Sequence, residues 1–72
     1  MGETVDARGL SCPQPVLMAM EKIKQMTGGQ LLVLVDTQAS KENVTRAVKA
    51  QGWEVRNVQE EGGEFHLYIG RD

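Results

Sequence analysis

A single cysteine, Cys12, is all the thiol chemistry in this 72-residue chain. It can form no internal disulfide, no C-x-x-C redox pair and no cysteine-rich zinc site, so no metal site is expected. Aromatic residues are almost as scarce: Trp53, Phe65 and Tyr68 are the only rings on which bases could stack. Eight basic against ten acidic residues leave a net charge of −2 and no overall basic footprint, so direct nucleic-acid binding is not expected. The groups Lys22 with Lys24, and Lys41 with Arg46 and Lys49, read as solvated helix faces. The longest apolar run, Leu31 to Val35, has a strand's length and falls far short of a bilayer. Met1 to Asp6 carries no basic region ahead of an apolar run, and no myristoylation signal, so the expected location is cytoplasmic. That compartment would keep Cys12 reduced. Repeats and low-complexity segments are absent, and Gly28-Gly29 follows a helix where a phosphate-cradling loop would open one. Residues 1–72 read as one domain, near the small end of what folds unaided.

What is present centres on Asp6-Ala7-Arg8-Gly9-Leu10-Ser11-Cys12-Pro13-Gln14-Pro15. A residue before proline is pushed out of helical geometry, which sets Cys12 just ahead of a helix. Pro13 suits the first helical position, where its missing N–H would have had no partner. A sulfur there faces the positive end of the macrodipole, which favours an anion. Both prolines remove donors, leaving the amides of Gln14 and Val16 as the main N–H groups toward the sulfur. The thiol is then tilted toward thiolate, with an expected pKa of about 7 to 8. Free cysteines are also commonly packed as small hydrophobes, and local physics leaves both readings open. Arg8 can donate to the sulfur or pair with Asp6. Asp6 would raise the thiol pKa by repulsion, so it reads as a loop organiser and not a base. Gly9 is expected at positive φ and Leu10 as a packing anchor. His66 has no second polar partner in view and reads as surface.

Patterning gives the order β-α-β-α-β-β. Thr4 to Ala7 reads as a strand with Val5 and Ala7 inward. The spacing predicts a helix from Pro13 that buries Val16, Leu17, Met20 and Ile23 and is stopped by Gly28-Gly29. Met18 lies off that stripe, where it could join a docking patch, and Met26 reads as edge fill. Gln30 to Asp36 is a central strand, and Asp36 to Ser40 a polar turn with Ser40 as helix cap. A second helix buries Val44, Ala47 and Val48 and stops at Gly52. Trp53 to Val58 is a strand with a bulge at Asn57-Val58. Glu61 to Glu64 is a hairpin turn, and Glu64 to Ile69 puts Phe65, Leu67 and Ile69 on one face. Right-handed crossovers place both helices on one face of a mixed sheet. The uncovered face takes either Leu32, Leu34, His66 and Tyr68 or their strand neighbours.

The ten residues from Asp6 to Pro15, joining D-x-R-G-L to C-P-x-P through the single residue Ser11, resemble the signature of the TusA/SirA-like sulfur-carrier family. The resemblance spans essentially the whole chain. It implies an α+β fold, a two-layer α/β sandwich with a mixed four-stranded sheet and two helices on one face. It further implies a sulfur carrier more than a classical enzyme, with no cofactor beyond covalent persulfide sulfur on Cys12. Arg8, Pro13, Gln14, Pro15 and Val16 then form the thiolate or persulfide environment, and Asp6, Gly9 and Leu10 are structural parts of the motif. The implied donor is a cysteine desulfurase or another sulfurtransferase, and the acceptor is the next protein of a relay. Members that serve tRNA thiolation carry an acidic Asp-Asp-Pro-like stretch where this chain has Asp36-Thr37-Gln38-Ala39. Residues Glu42 to Gly52 are more similar to the N-terminal domain of YedF-type proteins. That similarity implies a link to selenium metabolism, a DsrE-like domain as a further partner, and a domain that can be excised from a longer protein. The alternative is a non-catalytic interaction or regulatory domain in which Cys12 is structural.

Overall fold

The computed structural model describes residues 3–10 and 14–71. Four strands and two helices follow the expected order: β1 (Glu3–Asp6), α1 (Gln14–Gln25), β2 (Gly29–Val35), α2 (Gln38–Ala50), β3 (Glu54–Glu61) and β4 (Glu64–Arg71). They form one mixed sheet in the order β1-β2-β4-β3, with β1 parallel to β2 and β4 antiparallel to both its neighbours. Each helix therefore links two parallel strands, the connection that a short turn cannot make. No helix among the described residues is long and apolar enough to cross a membrane.

The register sorts the side chains. Val5, Val33 and Leu67 lie in one cross-strand row, and Leu31 and Ile69 in the next; all are buried under the helices. Alternation puts Thr4, Leu32, Tyr68 and Asn57 in a row on the other face, with Asp6, Leu34, His66 and Gln59 in another. That face carries no helix, and of the two registers open to the sequence this is the one adopted. Ala7 continues the β1 pairing, its N–H donating to the Leu34 carbonyl at 2.8 Å, and its side chain is fully buried.

Four local expectations are corrected. The buried line of α1 is Pro15, Ala19 and Ile23, not the stripe through Leu17, which is 54 % exposed. Spacing of four keeps those three residues over one another, and the small Ala19 lets the helix approach the sheet closely. Val16 and Met20 flank the line, and Met18, expected off the stripe, is partly buried and packs against the core as they do. The cap of α2 is Thr37, whose hydroxyl accepts from the Ser40 N–H at 3.1 Å; Ser40 itself is buried in the first turn. The bulge in β3 falls between Val55 and Asn57, ahead of the expected site, and the strand runs on to Glu61. Gly62 and Gly63, at φ 59° and 82°, close the β3–β4 hairpin as a two-residue turn that needs positive φ at both positions.

Candidate functional site

Ser11, Cys12 and Pro13 lie outside the described residues; the turn before them and the helix after them are described. Gly9 takes φ 77°, a conformation in which glycine alone pays no Cβ penalty, and the chain turns there after β1. Asp6 organises this turn. Its Oδ1 accepts from the backbone N–H of Arg8 at 3.1 Å and from Arg8 Nε at 2.8 Å, while its Oδ2 accepts from Arg8 Nη2 at 2.7 Å. This is a bidentate, charge-assisted pair reinforced by a main-chain bond, the strong form of such contacts. The donated hydrogen bonds hold the Asp6 carboxyl well below the usual carboxylate range, at about 2. The same bonds, then those to Glu64, raise the Arg8 guanidinium above its ordinary value.

Two carboxylates remote in sequence complete the arrangement. Arg8 Nη1 donates to Glu64 at the start of β4, at 3.2 Å to Oε1 and 3.4 Å to Oε2. The backbone N–H of Gly9 donates to Asp36 Oδ2 at 2.7 Å. Asp36 directly follows the buried Val35 at the end of β2 and directly precedes the α2 cap, Thr37. His66 Nε2 stands 3.8 Å from Glu64 Oε1. The turn is thus tied to β2 through one carboxylate and to β4 through another.

Arg8 spends its side chain on Asp6 and Glu64, the ion-pair half of the sequence expectation. Leu10 is 36 % exposed and is not the buried anchor the motif suggested; with Leu17 it leaves apolar surface on either side of the cysteine in sequence. Gln14, the first described residue of α1, is exposed, Val16 is partly buried against the core, and Pro15 is fully buried. Pro15 therefore packs as well as withholding an N–H. Asp36 and Glu64 carried no sequence signal for this site. Their partners stand 27 and 56 residues away, and only the register of β1 against β2 and of β2 against β4 brings them together. Among the described residues no group of three or more His, Cys, Asp or Glu side chains is placed to hold a metal ion.

The arrangement matches known proteins over nearly its full length. The family described as Sulfurtransferase TusA matches residues 3–71. A sulfur carrier protein TusA from Allochromatium vinosum is 37 % identical over 68 residues, covering 93 % of this chain and 90 % of its own. One from Pseudomonas entomophila is 31 % identical over 67 residues, with 92 % and 84 % covered. The crystal structure of a SirA-like protein from Desulfitobacterium hafniense superposes with a TM-score of 0.86 at 28 % identity, covering 94 % of this chain and 95 % of that one. With its β-α-β-α-β-β order, its D-x-R-G-L-x-C-P-x-P segment and these relatives, the chain belongs to the TusA sulfurtransferase family.

Proposed function

We propose that this protein is a sulfur carrier that takes up sulfur as a persulfide on Cys12 and passes it on in a relay. One observation carries the reading: the family match covers residues 3–71, and within it Cys12 is the chain's only thiol. A carrier of this family has no other side chain here on which to hold the sulfur.

The chemistry is a pair of displacements without net oxidation. The Cys12 thiolate attacks the outer sulfur of a donor persulfide; the donor's S–S bond breaks, and the donor leaves as its thiolate. Cys12 now bears the persulfide. In the second step an acceptor thiolate attacks that outer sulfur, and Cys12 departs as the leaving thiolate. A lower thiol pKa at Cys12 raises the thiolate fraction in the first step and improves the leaving group in the second. The donor we assign is a cysteine desulfurase or another sulfurtransferase. The acceptor is a thiol-bearing protein, a DsrE-like domain being one candidate, and the setting is the cytoplasm, where Cys12 stays reduced.

Incubating the protein with a cysteine desulfurase and cysteine, then weighing it intact, tests the reading. One added sulfur, removed by a reductant and absent in Cys12→Ser, is the expected result. If no persulfide donor loads the wild-type chain, the carrier reading fails, and the chain is an interaction domain with a structural cysteine.

A further inference from the structure

The geometry points to Asp36 as a positioning residue for the carrier cysteine, with Glu64 as a second anchor acting through Arg8. The inference rests on the carrier reading for its purpose, although the contacts stand without it. Asp36 accepts the Gly9 N–H at 2.7 Å, a charge-assisted bond to main chain two residues ahead of Ser11. Its own backbone has little freedom. On one side is Val35, fully buried in the sheet; on the other is Thr37, fixed by its cap bond to Ser40 and by its carbonyl, which accepts from the Lys41 N–H at 3.1 Å. The carboxylate is therefore held at a strand-to-helix junction and reaches across to the turn that follows β1.

Glu64 does the same from the other strand flanking β2. Paired with Glu61 at the closing of the hairpin, it meets Arg8 Nη1, while Arg8 is clamped to Asp6. The chain leading to Cys12 is thus fixed at Arg8 and Gly9, on the side away from α1, by two side chains outside the motif. A relay has to present one sulfur to two protein surfaces in turn, and small displacements of a reacting atom are costly in rate. That is the use of holding this turn by more than its own residues. Of the two anchors Asp36 matters more. Both contacts are exposed, but the Asp36 bond is shorter, 2.7 Å against 3.2 Å, and is made to main chain, whereas Arg8–Glu64 is a side-chain ion pair of a class that contributes little.

The test compares Asp36→Ala, Asp36→Asn and Glu64→Gln with wild type by two readouts. One is the rate of sulfur loading from a desulfurase. The other is the pH midpoint of Cys12 alkylation by iodoacetamide, which requires no relay partner. Asp36→Ala is expected to slow loading about tenfold and to move the alkylation midpoint up toward that of a free thiol, about 8.5. Asp36→Asn keeps an acceptor oxygen and should recover most of both, while Glu64→Gln should change each by less than Asp36→Ala does. Asp36→Glu, which keeps the charge but shifts the carboxylate by one methylene, serves if the alanine variant does not fold, and it too should slow loading. Folded Asp36 variants with wild-type midpoints and loading rates would overturn the inference and leave the carrier reading intact. A midpoint that moves in a protein no persulfide donor can load would sustain the positioning role and end the carrier reading.

Discussion

At the scale of single residues, local backbone geometry was legible. Cys12 announces itself because proline on its C-terminal side and Arg8-Gly9 on its N-terminal side restrict backbone geometry within a few bonds. Asp6 as organiser of the turn was legible for the same reason, since it bonds a residue two positions on. Asp36 and Glu64 were not. Each reads as an ordinary turn acid, and its partner is named only by strand register. The Asp6–Arg8 pair makes a pH prediction. The carboxyl pKa is lowered in the folded chain, so the pair's contribution is present above the ordinary value, about 3.9. It is lost as pH falls through about 2. Carbon-13 NMR of the Asp6 carboxyl should show a titration midpoint of about 2 in wild type. In Arg8→Ala the midpoint should return toward about 3.9. A wild-type midpoint already at the ordinary value would mean that the pair does not persist in solution.

At the scale of elements, type and order were readable and the finer placement was not. Hydrophobic spacing located both helices and the apolar run of β2, because period and length separate them cleanly. Of the expected α1 stripe, Ile23 is buried and Val16 and Met20 pack against the core, whereas Leu17 was misplaced because large apolar residues dominate such a reading. The helix buries Pro15 and Ala19, one compact and one small, together with Ile23, and Leu17 is left exposed. Urea denaturation separates the two faces. Ile23→Ala should cost about 2–5 kcal/mol, the range for emptying a buried aliphatic site, whereas Leu17→Ala should stay within about 0.5 kcal/mol of wild type. Comparable losses at the two positions would contradict the packing described. The α2 cap was misassigned because Thr37 and Ser40 are both good caps, and sequence cannot choose between them. The structure chooses Thr37, so Thr37→Ala should cost about 1 kcal/mol through the lost cap. Ser40→Ala removes no cap and should cost less in the same measurement.

At the scale of the whole molecule, a single layer of helices on a four-stranded sheet explains what the chain can offer a partner. One face is sealed by α1 and α2 over Val5, Val33, Leu67 and their neighbours; the other leaves Leu32, Leu34 and Tyr68 without a helical cover. This layering was legible in the sequence, since two helices that each join parallel strands by right-handed crossovers must fall on the same side when the strand order allows it. The glycine hairpin makes β3 and β4 neighbours, and the pairing of β4 with β2 on its other side inserts it between β2 and β3. The motif turn emerges at one edge of this sheet, tied to β2 and to β4, and the proposed relay needs that turn for both receipt and delivery. The most direct measurement is therefore a round trip. The protein is loaded with isotopically labelled sulfur from a desulfurase, freed of donor, and mixed with an acceptor thiol protein, and the Cys12 peptide is weighed before and after. The account predicts one labelled sulfur on the Cys12 peptide before mixing, and its loss from that peptide with stoichiometric gain on the acceptor afterwards. Label on any residue other than Cys12, or label that stays on Cys12 in the presence of every acceptor thiol offered, would contradict it.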